Sequence, residues 1–262
     1  MNDLGKLLDP STALGVKSDK SLFMAHMIAG YPSMLESEKV AKALVQGGAD
    51  IIELQIPFSD PMADGPTIAV ASEDALKAGA TVAKSLALLK KVAKMGKPVV
   101  VMSYTNPVYR FGIPTFVETI AKAGATGLII PDCPFDSEEG QILLASCKAN
   151  NVYLIPVVSP GVPRERLEML AKDAGGFVYC TSRQGITGAN SRFAQHLFDF
   201  VAGLKTIFNL PIAVGFGVKS KSDVRQLAAH ADIVIAGSVF VAALKKSRKA
   251  SSVEKTLRQL IS

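Results

Sequence analysis

The sequence predicts a single closed (β/α)8 barrel with an extra N-terminal helix, the whole of residues 1–262 forming one domain. Three observations carry that prediction. A short β-rich apolar run recurs eight times, each followed by a stretch with helical periodicity. Several runs are almost wholly apolar (Val99-Val100-Val101, Leu128-Ile129-Ile130, Ile233-Val234-Ile235), as parallel strands covered on both faces are. The chain has 262 residues, 48% of them hydrophobic, enough for one core in a fold that typically needs about 250 residues.

The elements follow in order. Asp3–Leu8 precedes the first run and is expected to plug one end of the barrel. The eight runs are Leu22–Ala29, Asp50–Gln55, Pro98–Ser103, Gly127–Pro131, Val152–Val158, Gly176–Cys180, Pro211–Val214 and Asp232–Ala236. Between the first two, Ser37–Gln46 puts Val40, Leu44 and Val45 on one stripe and stops at Gly47-Gly48, a helix C-terminal signal. Thr115–Ala123 stops in the same way at Gly124. Asp136-Ser137-Glu138-Glu139 opens the next helix with a capping side chain and acids in its first turn. Ser220-Lys221-Ser222-Asp223 has the form of a capping box. The alternative is an open doubly wound sheet binding a dinucleotide. It would want Gly-x-Gly-x-x-Gly after the first strand, and the chain has none there.

Composition narrows the function classes. The formal charge is +6 and charged residues make up 20%. The densest basic stretch, Lys245-Lys246-Ser247-Arg248-Lys249, has no interleaved aromatics, and the chain lacks Trp. It reads as a solvated helix face rather than a nucleic-acid site. No apolar run approaches the ~18 residues of a spanning helix, and the start lacks a secretory pattern. The expectation is a cytoplasmic protein with no membrane or nucleic-acid partner. Cys133, Cys147 and Cys180 form no Cys-x-x-Cys pair and read as reduced, buried thiols.

Barrel enzymes carry their chemistry on the loops that follow the strands. In Ile51-Ile52-Glu53-Leu54-Gln55-Ile56-Pro57, alternation turns Ile52, Leu54 and Ile56 toward the helices and Glu53 into the barrel, with Ile51 and Gln55. A desolvated carboxyl there should have a raised pKa and be able to give and take a proton near neutrality. The next loop, Pro57-Phe58-Ser59-Asp60-Pro61-Met62-Ala63-Asp64-Gly65-Pro66, is stiff with proline. Its Asp60 and Asp64 serve equally well as turn residues or as a second acid. Three glycine-bearing ends follow: Ser182–Gly188, Gly215-Phe216-Gly217 and Gly237-Ser238. Glycines and helix starts let backbone N–H groups approach an anion, and the ends of strands seven and eight are a recurrent phosphate site in barrels. Tyr104 and Tyr179 stand at or near strand ends as core or pocket wall. Asp132 holds the pocket or caps a turn. His26 lies on strand one, and His196 and His230 lie on helices. No His, Cys or Asp spacing suggests a metal site.

The run from Glu53 through Asp64-Gly65-Pro66-Thr67-Ile68 resembles the signature of the tryptophan synthase alpha subunit family. The resemblance covers essentially the whole chain. It recurs at Tyr104-Thr105-Asn106-Pro107, Pro131-Asp132, Arg183–Gly188, Gly215-Phe216-Gly217 and Gly237-Ser238. It implies a cofactor-free lyase that splits indole-3-glycerol phosphate into indole and glyceraldehyde 3-phosphate. Glu53 would be the general acid and base, and Asp64 would hold the indole N–H. Tyr179 would border the substrate, Tyr104 and Phe216 would line the indole pocket, and Gly188, Gly217, Gly237 and Ser238 would bind the phosphate. Arg183–Gly188 would form a lid, with Thr187 meeting Asp60, and high mobility is expected across 183–192. The implied partner is the pyridoxal-phosphate-dependent beta subunit, in an alpha2beta2 heterotetramer, facing the loop that carries Pro57 and Asp60. Three residues depart from the family pattern: Gln55 for Gly, Tyr31 for Asp, and His26 where an aromatic residue is common. Two other readings stand beside this one: a non-catalytic activator of the beta subunit, and another phosphate-binding barrel aldolase or isomerase.

Overall fold

The computed structural model describes residues 1–9, 11, 21–181, 195–215 and 217–262. Nine parallel strands form one sheet: β1 (Leu22–Ile28), β2 (Ile51–Gln55), β3 (Val99–Met102), β4 (Gly127–Ile129), β5 (Tyr153–Leu154), β6 (Val157–Val158), β7 (Val178–Thr181), β8 (Ile212–Gly215) and β9 (Ile233–Ala236). Their order is β5-β4-β3-β2-β1-β9-β8-β7-β6. The two ends of that order are consecutive in the chain, parted only by Ile155-Pro156. Ile155 N–H donates to Leu128 O toward β4, and Pro156 O accepts from Tyr179 N–H toward β7, both at 2.9 Å. One stretch of chain therefore passes the pairing from one side to the other and closes a TIM barrel. The run predicted as one strand, Val152–Val158, is two segments because Pro156 has no N–H to give the ladder.

Strand alternation sorts the core into two layers. Met24, Ile51, Val100, Ile129, Phe177, Ala213 and Ile233 pack inside the barrel. Ile52, Leu54 and Ile56 pack outward against the helices, as the pattern of strand two requires. The N-terminal helix Asp3–Leu8 fills the end where the strands begin. Its Leu4 is fully buried within the interior cluster. Asn2, which caps this helix, also donates Nδ2 to Thr126 O and Asn151 O, each at 2.8 Å.

Helix limits follow local chemistry. The helix Met34–Gly47 ends on Gly48 at φ +106°, a left-handed turn suited to glycine. Ile113–Ala123 ends in the same way on Gly124. Ser137 Oγ accepts from Gly140 N–H to start Glu138–Ala149. Ser220 and Asp223 form the reciprocal capping box of Lys221–Ala228. The last helix, Ala250–Ile261, packs back on Met34–Gly47 and closes the outer ring. Lys245–Lys249 is solvent-exposed. Among the described residues, no helix is long and apolar enough to cross a membrane. All three cysteines are buried and free, and burial pushes the Cys147 and Cys180 thiols up to about 12.

Candidate active site

A cavity of about 290 Å³ opens where the strands end. Inward alternation on β1 and β2 aims His26 and Glu53 into it, and the loop after β2 folds Asp64 over it. Glu53 is buried with 2% of its surface exposed. Its Oε1 lies 3.3 Å from His26 Nδ1, the two residues being register partners on neighbouring strands. Gln55, also fully buried, donates Nε2 to Asp64 Oδ2 at 2.6 Å. Each carboxylate at this end is thus met by a side chain that departs from the family pattern. Three polar atoms of the cluster, His26 Nε2, Glu53 Oε2 and Gln55 Oε1, are buried with no hydrogen-bond partner among the described residues. Such atoms are uncommon in folded proteins, and a polar ligand would satisfy them.

The electrostatics follow from burial and proximity. Burial raises the pKa of Asp64, against the hydrogen bond from Gln55 and the nearby imidazole of His26, which favour its charge. Burial alone would lower the pKa of His26. The carboxylates of Glu53 and Asp64, with Gln55, outweigh it and leave the imidazole above its ordinary value. Burial next to these acids also raises the phenols of Tyr179 and Tyr104, so both stay neutral at working pH.

An adjoining wall is built from glycine. Gly215, Gly217, Gly237 and Ser238 line the cavity beyond β8 and β9. Gly217 has φ +76°, which disfavours any side chain. At Gly237 a Cβ would lie 2.8 Å from the His26 ring. Ser238 starts the helix Ser238–Ser247, with Gly237 as its N-cap, so unpaired N–H groups and the helix dipole face this corner. Lys219 reaches the rim. Ile68, Met102, Ile129, Val157 and Ile235 supply apolar surface between the two poles.

The structure brings Glu53, Asp64, Tyr179, Gly217, Gly237 and Ser238 to one cavity. Tyr104 adjoins Asp64 without lining the cavity. It is fully buried behind the loop, its ring tilted against that of Phe58 with centroids 5.4 Å apart, and its hydroxyl accepts from Ala63 N–H at 3.3 Å. It holds the Asp64 loop from behind and is not among the residues lining the cavity. Asp132 accepts from the N–H and hydroxyl of Thr105, at 2.9 and 3.0 Å, and so fixes the start of the helix Thr105–Phe111. Asp60 is exposed and Pro57 is buried. Tyr31 packs in the outer core. Arg183, Thr187, Gly188 and Phe216, with the rest of the expected lid, lie outside the described residues. Sequence reasoning did not foresee the His26–Glu53 and Gln55–Asp64 contacts or the place of Lys219. The alternation Leu22, Met24, His26 on strand one was the available signal for the imidazole.

Residues 13–261 match the sequence profile of a family described as tryptophan synthase alpha chain. The chain is 40% identical to the tryptophan synthase alpha chain of Halalkalibacterium halodurans over 86% of its own length and 85% of that protein. It is also 40% identical to that of Methanosarcina barkeri, over 90% and 88%. Among solved structures, tryptophan synthase from Mycobacterium tuberculosis superposes with a TM-score of 0.88 at 36% identity, covering 99% of this chain and 96% of that one. A mutant alpha-subunit from Pyrococcus furiosus gives a TM-score of 0.85 at 29% identity, covering 92% and 98%.

Proposed function

The chain belongs to the tryptophan synthase alpha chain family, and on that premise we propose that Glu53 and Asp64 are the groups through which it cleaves indole-3-glycerol phosphate. It is a lyase of tryptophan biosynthesis; the readings as a non-catalytic activator or as an unrelated barrel aldolase are not favoured. One observation carries the residue assignment: a buried carboxylate, Glu53, and a half-buried one, Asp64, share one cavity with a glycine-lined helix start. Carboxylates and a glycine-lined anion corner in one cavity suit a substrate with an aromatic amine and a phosphate.

Glu53 gives a proton to C3 of the indole ring, which leaves positive charge on the ring nitrogen. Asp64, ionised, accepts the indole N–H and stabilises that charge. Glu53 then takes the proton of the adjacent hydroxyl. The carbonyl of glyceraldehyde 3-phosphate forms, the carbon–carbon bond breaks, and its electron pair restores the indole. Gly217, Gly237 and Ser238 hold the phosphate through backbone N–H groups and the helix dipole, with Gly188 as a further contact. Tyr179 borders the reacting carbons; Phe216 and the segment Arg183 to Gly188, to which the family pattern assigns apolar wall and lid with Thr187 meeting Asp60, lie outside the described residues. No cofactor enters this scheme.

The same reading makes the chain a single-domain cytoplasmic protein that works with a beta subunit, in an alpha2beta2 assembly. The cavity end supports a docking face there. Met62, on the loop after β2 next to the exposed Asp60, and Tyr109 and Phe111, on the helix Thr105–Phe111 after β3, are exposed apolar side chains. The test is incubation of the purified chain with indole-3-glycerol phosphate, alone and with a beta subunit. Indole and glyceraldehyde 3-phosphate should appear in equal amounts, faster in the complex. Absence of indole in both mixtures would overturn the assignment.

A further inference from the structure

The acid that this reaction needs does not stand alone. His26 on β1 faces Glu53 on β2 at the same register, with Nδ1 3.3 Å from Oε1. Both residues are buried and both line the cavity. Their outer atoms, His26 Nε2 and Glu53 Oε2, have no partner among the described residues. The ring cannot swing away toward β9, because the backbone of Gly237 closes on it so tightly that a Cβ there would sit 2.8 Å from Cδ2. The imidazole is therefore held between the carboxyl and the backbone that lines the phosphate corner.

We propose that His26 is a positioning residue of the cleavage: it grips Glu53 by Oε1, shares that carboxyl's proton, and leaves Oε2 to meet the substrate. This rests on the reading of Glu53 as acid and base. The pair enters the cycle holding one proton. That proton passes to C3 of the ring, and the proton of the hydroxyl returns to the pair as the carbon–carbon bond breaks. The pair ends as it began, and the substrate atoms are all accounted for in indole and glyceraldehyde 3-phosphate.

An imidazole this deeply buried would ordinarily be neutral. Instead the facing carboxylates of Glu53 and Asp64, with Gln55, keep its pKa above the ordinary value. Among the described residues, the other ionisable groups around this end are Tyr179 on β7, Tyr104 after β3 and Lys219 after β8. The two phenols do not ionise in the range of interest, and Lys219 is exposed at the rim. The pair should then keep its last proton to a higher pH than an isolated buried carboxyl would.

The test compares kcat against pH for indole release by the unaltered chain, His26→Asn, His26→Phe and Glu53→Gln. It adds a titration of the three histidines followed by nitrogen-15 resonance. Asn offers an N–H donor at the position of Nδ1 but does not titrate. The alkaline limb should move to lower pH by about one unit in both His26 variants, and kcat should fall further in His26→Phe, where the donor is gone as well. In Glu53→Gln, kcat should fall by about 10²–10⁴ and the His26 resonance should titrate at lower pH. His26 profiles that superimpose on that of the unaltered chain, or that lose height without moving, would overturn the role of His26 while leaving that of Glu53. Turnover in Glu53→Gln within about tenfold of the unaltered rate would overturn the underlying reading and this one with it.

Discussion

At the scale of single residues, the site is defined by what each carboxylate touches. Asp64 must be ionised to take the indole N–H, and burial raises its pKa while the Gln55 hydrogen bond holds it down. The acid limb of kcat/KM should therefore lie above the ordinary aspartate range. Gln55→Ala removes a contact that favours the charge, so the pKa of Asp64 should rise and the limb should move to higher pH. A pH profile of the variant checks this, and an unmoved limb would contradict it. Glu53, Asp64 and the glycines were legible in the sequence because alternation fixes which side chains face inward and because their motif is long. Gln55 was legible as facing inward beside Glu53 and His26 as lying on strand one, but not what either side chain touches. Period-two alternation gives the face of a residue but not the height at which its strand pairs with the next. Only the β1–β2 register brings His26 onto Glu53.

At the scale of elements, eight apolar runs translated into a closed barrel with little loss. The exception was the fifth. An apolar run of that length reads as one strand, and Pro156 splits it while its carbonyl still serves β7. Caps were legible wherever a single side chain decides the limit, as at Ser137 and Ser220. The place of Tyr104 was not, since nothing local tells a pocket wall from a buttress. The short helix Asp3–Leu8 earns its place through Leu4, which seals the barrel floor. Leu4→Ala should destabilise the fold by about 2–5 kcal/mol, seen in denaturant unfolding as a lower midpoint at unchanged slope. Turnover of the folded fraction should stay intact, because the cavity lies at the other end.

At the scale of the whole molecule, a chain of net charge +6 places two carboxylates and one lysine around a cavity meant for a dianion. Lys219 is the lysine or arginine that lines it among the described residues. It is exposed, so its contribution is screened. Lys219→Ala should raise KM about two- to fivefold with kcat unchanged, and the increase should shrink as salt is added. Equal KM values at low salt would contradict this. At the reacting end, Glu53 and His26 are buried and Asp64 is half-buried. That division, charge-tolerant at the phosphate and desolvated at the reacting carbons, is what the barrel as a whole supplies.

The most direct measurement is steady-state cleavage of indole-3-glycerol phosphate by Glu53→Gln beside the unaltered chain. If Glu53 moves both protons, kcat falls by about 10²–10⁴ while KM stays within a few-fold, since the phosphate and indole contacts remain. A variant that releases indole within about tenfold of the unaltered rate would place the acid and base elsewhere.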